Sequence, residues 1–196
     1  MLTKIESKKQ RQSNATYRDR EYLEPNEILA LIKAAGARGR YKERDQCLIL
    51  LMFRHGFRAT EATTLKWDMV DLDAKQININ RLKGGDSGKH PLQPDEVESL
   101  VILRNLYPKS TFVFLPERGE HLSVHGLGKI FTRVAQIAGL EIRIHPHMMR
   151  HSCTYFLANK GTPIQDIQAW LGHKNPANTI KYLPAPKGFE KLNWSW

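Results

Sequence analysis

From Glu24 onward the apolar positions recur with helical spacing, interrupted once by a stretch with the spacing of a strand. Glu24-Pro25-Asn26-Glu27 puts a proline in a first helical turn and carboxylates beside the positive end of the helix dipole. Ile28, Leu29, Leu31 and Ile32 supply an apolar stripe. Gly36 and Gly39 are expected to break this helix. A second helix is predicted from about Tyr41 to Arg54, buried because Cys47 to Phe53 is uninterruptedly apolar, with Gly56 after its end. A short third helix is expected from about Ala59 to Leu65.

The texture then changes. Gln76-Ile77-Asn78-Ile79-Asn80 alternates polar and apolar residues, as a half-buried strand does. Lys83 to Lys89, rich in glycine, is expected as a flexible hairpin turn, and His90-Pro91-Leu92 as the returning strand. Pro94 is expected to start a helix to about Leu106, and Phe112-Val113-Phe114 to form a third strand. Further helices are predicted at about 124–138, 146–159, 163–171 and 176–182. The pattern predicts a mainly α fold with one small antiparallel β-sheet (α+β). There is no internal repeat and no low-complexity tract.

Composition adds a partner class. Among 196 residues, Lys plus Arg number 30 and Asp plus Glu 20, a formal net charge of +10 that suits a polyanion such as DNA. The hydrophobic share of 41% supports a packed core rather than disorder. Residues 1 to about 20 lack apolar periodicity and carry six Lys and Arg residues, which is expected of a mobile basic arm or an ordinary disordered terminus. The start has no apolar core of a secretory signal, and the longest apolar run is too short to span a bilayer, so a cytoplasmic protein is expected. Cys47 and Cys153 form no CxxC pair and stand among apolar neighbours, as reduced core thiols would.

The chemistry concentrates in Ile144-His145-Pro146-His147-Met148-Met149-Arg150-His151. Pro146 suits a first helical turn, and His147 and Arg150, three apart, then share a face. A helix N-terminus, a bidentate arginine and a histidine together make a cradle for a phosphodiester. Two alternatives stand beside this: a metal site at His145, His147 and His151, although Met148 occupies the position of the HExxH glutamate, or a structural cluster. Downstream come Leu171-Gly172-His173, then Asn175-Pro176 as a helix cap, then Tyr182. Upstream, a glycine turn feeds Arg58 into a helix start.

In that order, Gly56-Phe57-Arg58-Ala59-Thr60-Glu61, Lys83 in a hairpin, His147-x-x-Arg150, Leu171-Gly172-His173 and Tyr182 resemble the tyrosine recombinase (phage integrase) family over about residues 23–183. Ile144 to Cys153, and Arg81-Leu82-Lys83 followed by His90-Pro91-Leu92, look especially like the short fimbrial phase-variation recombinases. The resemblance implies a catalytic domain over 23–196, with a tail at 183–196, a basic arm at 1–22 and no separate core-binding domain. It implies that Arg58 and Arg150 clamp the non-bridging phosphate oxygens and that His147 and His173 bond the phosphate or manage its protons. Lys83, with Lys89 as the alternative, would protonate the leaving 5′ oxygen, and Tyr182 would attack phosphorus to form a 3′-phosphotyrosyl link. Glu61 would orient its neighbours, and His151 would stand behind the phosphate-binding groups.

The implied function is metal- and ATP-independent site-specific recombination without a cofactor, specifically inversion of a short element. Integration or excision of a mobile element and a catalytically idle DNA-binding regulator are the alternatives. The implied partners are double-stranded DNA with inverted-repeat sites, further copies of the chain forming a tetramer in the synapse, and host DNA-bending proteins, in the bacterial nucleoid. Pro184 and Pro186 prevent a regular helix beyond the tyrosine, and Phe189, Leu192, Trp194 and Trp196 offer apolar contacts within the chain or to a neighbour.

Overall fold

The computed structural model describes residues 20–81, 87–117, 121–175 and 177–180. The expectations for Lys83, Tyr182, the tail and residues 1–19 of the basic arm therefore lie outside the described residues; of that arm, Arg20 pairs with Glu27 and Tyr22 stacks on Tyr155. Helix α1 (Pro25–Ala37) opens as its sequence requires: Pro25 stands in the first turn and the Glu24 N–H donates to Glu27 Oε2 at 2.8 Å. Helices α2 (Lys42–Arg54) and α3 (Ala59–Thr63) follow, then a 3₁₀ turn at Trp67–Met69. Three short strands, β1 (Val70–Asp71), β2 (Gln76–Ile79) and β3 (Gly88–Pro91), form an antiparallel sheet in that order. Helices α4 (Pro94–Leu106), α5 (Val124–Ile137), α6 (Pro146–Asn159), α7 (Ile164–Leu171) and α8 (Ala177–Ile180) complete the described elements.

The mainly α fold with a small antiparallel sheet is as the periodicity predicted. In β2 the alternation does what it should: Ile77 and Ile79 are buried and Gln76 and Asn78 exposed, with Ile77 opposite His90 of β3. Helix α2 crosses the centre, with Cys47 to Met52 all buried. Leu31, Leu48, Leu51, Leu100, Leu103, Phe131 and Val134 from α1, α2, α4 and α5 meet in one core. Cys47 and Cys153 are free, buried thiols.

Four details differ from expectation. Helix α1 runs through Gly36. A Cβ there would lie 2.7 Å from Gln46 Oε1, so the glycine leaves room for the Gln46 side chain against α1. Leu29, assigned to the apolar stripe, is 63% exposed. The apolar run Phe112-Val113-Phe114 is not a strand of the sheet: Phe112 makes an isolated bridge to Lys66, and Val113 and Phe114 are buried in the core. The third strand is Val70–Asp71, too short to show alternation, and β3 already begins at Gly88, inside the segment expected as turn.

Candidate active site

Arg58 is the residue before α3, in extended backbone, and Glu61 stands three positions into that turn. Glu61 Oε2 accepts the Arg58 backbone N–H at 2.9 Å and Oε1 accepts Arg58 Nη1 at 2.6 Å. The carboxylate thus fixes both the main chain and the guanidinium of Arg58, whose side chain keeps 27% of its surface exposed. Burial raises the pKa of Glu61. The Arg58 N–H, the Arg81 charge and the two guanidinium hydrogen bonds outweigh it and hold the carboxyl below its ordinary range. Glu61 thus contacts both Arg58 and Arg81, the geometry an orienting carboxylate would have.

Arg150 lies in the second turn of α6 and is buried. Its Nη1 donates to Gly56 O at 2.6 Å and its Nη2 to Leu171 O at 2.7 Å. A guanidinium carries five N–H donors, and two suffice for these carbonyls. Burial, then the Arg81 and Arg58 charges, push Arg150 down to about 9. Clustering cations in this way is costly unless an anion is to arrive. Gly56 makes the approach possible: its φ is +58°, and a Cβ there would lie 2.4 Å from Leu171 Cδ2 and 3.8 Å from Arg150 Cγ.

His147 stands one turn before Arg150, its ring edge-on to His151 with centroids 4.5 Å apart. Desolvation, then the Arg150, His145 and Arg58 charges, lower its pKa. The neighbouring cations act on the imidazole in the same direction as its desolvation. The result is a neutral imidazole at neutral pH, able to accept a proton. His151 is buried and lies 3.9 Å from Glu21 Oε2 through Nδ1, behind His147. Among the described residues no three His, Cys, Asp or Glu side chains converge as a metal site would require.

His173 follows the left-handed cap of α7 at Gly172, φ +62°. The His173 N–H donates to Gln168 O at 3.0 Å, and its Nδ1 hydrogen-bonds Thr179 Oγ1 of α8 at 2.8 Å. The Asn175 side chain caps α8 by accepting the Ala177 N–H at 3.0 Å. Thus Arg58, His147 and His173 stand at element ends or in a first turn and Arg150 in a second turn, with Arg150 tied to α7 and to the 55–56 turn. Lys83 and Tyr182 lie outside the described residues.

Sequence reasoning attached no role to Arg81, which proves central. Its side chain is 1% exposed. Nη1 donates to Glu61 Oε2 at 2.8 Å, and Nη2 donates to His55 O at 2.9 Å and Trp170 O at 2.6 Å. A signal was present: Arg81 continues the inward parity of Ile77 and Ile79 two residues past the end of β2. Behind it lies a buried polar cluster, in which His55 Nδ1 and His90 Nδ1 are 3.2 Å apart. His55 Nε2 is 3.2 Å from Glu96 Oε1, an ion-pair distance without hydrogen-bond alignment. Trp170 covers the cluster, its ring centroid 3.7 Å from that of His90.

Residues 21–187 match the model of the phage integrase family. The chain is 42% identical over 181 residues to the type 1 fimbriae regulatory protein FimB of Escherichia coli K12, covering 90% of each. It is 39% identical over 171 residues to the type 1 fimbriae regulatory protein FimE of the same strain, covering 83% of this chain and 85% of FimE. Among solved structures, XerA recombinase superposes with a TM-score of 0.73 at 25% identity, over 82% of this chain and 59% of that one. XerH site-specific recombinase, in a pre-cleavage complex with its difH substrate, gives a TM-score of 0.70 at 26% identity over 84% of this chain and 50% of that one. The chain thus spans between half and three-fifths of these solved recombinases. The fold, the spaced motifs and the extent of the match agree: the chain belongs to the phage integrase family, the tyrosine recombinases.

Proposed function

We propose that the chain inverts a short DNA element by breaking and rejoining double-stranded DNA at inverted-repeat sites through a 3′-phosphotyrosyl intermediate on Tyr182. The observation that carries this is the placement of Arg58 and Arg150 on one hydrogen-bonded chain, running from Arg58 through Glu61, Arg81 and the Gly56 carbonyl to Arg150. Two cationic forks held in register suit the two non-bridging oxygens of a phosphodiester, where charge builds in the transition state. Inversion rather than another outcome is favoured by the similarity to FimB and FimE, both described as regulators of type 1 fimbriae. DNA as substrate is favoured by the XerH neighbour, solved on its DNA before and after cleavage.

In the proposed reaction the Tyr182 oxygen attacks phosphorus while the bond to the 5′ oxygen breaks. The phenolic proton leaves to a neighbouring base, for which neutral His147 is suited, and Lys83 gives a proton to the departing 5′ oxygen. His173, fixed by Thr179, bonds the phosphate. The phosphotyrosyl ester retains the energy of the broken bond, so attack by a 5′ hydroxyl reseals DNA without ATP.

The DNA-facing surface extends along α5. His125, Lys129, Thr132 and Gln136 recur at helical spacing and are all exposed. With Arg143 and His145 they line a groove of about 510 Å³ leading toward α6. Four copies on two sites, with host bending proteins, would complete the synapse in the nucleoid. No described helix is long and apolar enough to cross a membrane.

The test starts from a pool of nicked duplexes with randomised arms, incubated with the chain in EDTA. Duplexes that remain on denatured protein are recovered and sequenced. Placed in opposite orientations on a plasmid, the recovered site is expected to support inversion of the intervening segment. Exchange only between separate molecules would favour an integrase, and binding without capture an idle regulator.

A further inference from the structure

We propose that Arg81 is a positioning residue for strand transfer, setting Arg58 and Arg150 relative to each other without touching DNA; this rests on the function proposed above. Arg81 is buried where a charge needs several partners to be tolerated. It has them on three separate segments. Glu61 Oε2 in α3 lies at 2.8 Å, His55 O and Gly56 O in the turn after α2 at 2.9 and 3.4 Å, and Trp170 O in the last turn of α7 at 2.6 Å.

Each of these three segments also holds a phosphate-clamping arginine. Glu61 Oε2 takes the Arg58 N–H and Oε1 the Arg58 guanidinium, while Oε2 also takes Arg81 Nη1, so two arginines grip the carboxylate. Gly56 O accepts from Arg150 at 2.6 Å. Trp170 precedes Leu171, whose carbonyl accepts the other Arg150 donor. Loss of Arg81 leaves the Glu61 carboxylate held by Arg58 alone and three carbonyls, those of His55, Gly56 and Trp170, without this donor. Both clamping arginines then lose a fixed point on the same set of segments.

A guanidinium suits this task better than an ammonium, because its planar fork fixes two directions at once. Removing the charge also removes a repulsion on Arg150, since the Arg81 charge is the larger of the two that lower the Arg150 pKa. The Arg150 titration is therefore a second signature, independent of order.

The experiment compares wild-type protein with Arg81→Met, Arg81→Lys and a core variant, Val134→Ala, chosen to lose stability away from this network. In the absence of DNA, NMR of the arginine side-chain N–H groups reports the order of Arg58 and Arg150. Arg81→Met is expected to mobilise both and raise the Arg150 titration midpoint, Arg81→Lys to mobilise both partially while its retained charge keeps the midpoint near wild type, and Val134→Ala to leave order and midpoint as in wild type. On a captured duplex, Arg81→Met is expected to slow cleavage by about 100-fold, as small misplacements of reacting groups do, with affinity changed less than about threefold. Arg81→Lys is expected to recover part of the rate. Wild-type order of Arg58 and Arg150 in Arg81→Met overturns the proposal, as does mobilisation matched by Val134→Ala. If Arg81→Met does not fold, Arg81→Lys decides by the same readouts. If wild-type protein captures no duplex, the functional reading fails, and the NMR comparison alone still decides the positioning role.

Discussion

The carbonyl oxygen of Gly56 accepts a hydrogen bond from Arg150 Nη1 at 2.6 Å, across 94 residues of sequence. That bond ties the turn before Arg58 to the helix carrying His147, and Gly56 turns there in left-handed backbone, φ +58°. A Cβ at the Gly56 position would collide with Leu171 at 2.4 Å and sit in left-handed backbone.

Gly56→Ala is therefore expected to destabilise the fold by roughly 2–4 kcal/mol, combining the left-handed penalty with overpacking. Denaturant unfolding monitored by tryptophan fluorescence checks this. A loss below about 0.5 kcal/mol, the scale of a neutral surface change, would show that the turn relaxes without strain.

The buried His90 predicts an acid sensitivity. Desolvation first, then the His55 and Arg81 charges, depress its pKa to about 3. Between its ordinary value near 6.5 and 3, the unfolded chain binds a proton that the folded chain refuses. Stability then falls as pH drops through that window, by up to about 1.4 kcal/mol per pH unit from this group. His90→Gln is expected to flatten the slope of unfolding free energy between pH 6 and 4 (roughly the middle of that window). An unchanged slope would place the acid sensitivity elsewhere.

Lys129 and Arg143 on the α5 groove are expected to act on DNA through charge. Replacing either by alanine should weaken binding across duplex sequences and lower the slope of log affinity against log salt by about 0.9 if each neutralises one phosphate. Fluorescence anisotropy at several salt concentrations measures it. A loss confined to one base position, with the slope unchanged, would instead make the residue a base reader.

The long periodic segments were legible in the sequence: α2, α4, α5 and α6 lie within a residue or so of their predicted bounds, because caps and apolar spacing agree there. Val70–Asp71 was not, since two residues carry no period. Phe112 to Phe114 misled because apolar content marks burial and strand alike. Of the candidate site, Arg58, His147, Arg150 and His173 were legible as residue types in order. Its wiring was not, because a charged residue such as Arg81 is presumed solvated unless its strand parity is followed past the last apolar position. The nearness of Leu171 and Gly56 is a tertiary fact that no local spacing encodes.

The most direct test of the account is the identity of the covalent link. A captured duplex, digested with nuclease and protease after denaturation in EDTA, is expected to leave a nucleotide phosphate on the peptide containing Tyr182, identified by mass spectrometry. Tyr182→Phe is expected to abolish the adduct while still binding the duplex. An adduct on another residue, or one that persists in Tyr182→Phe, would contradict the account.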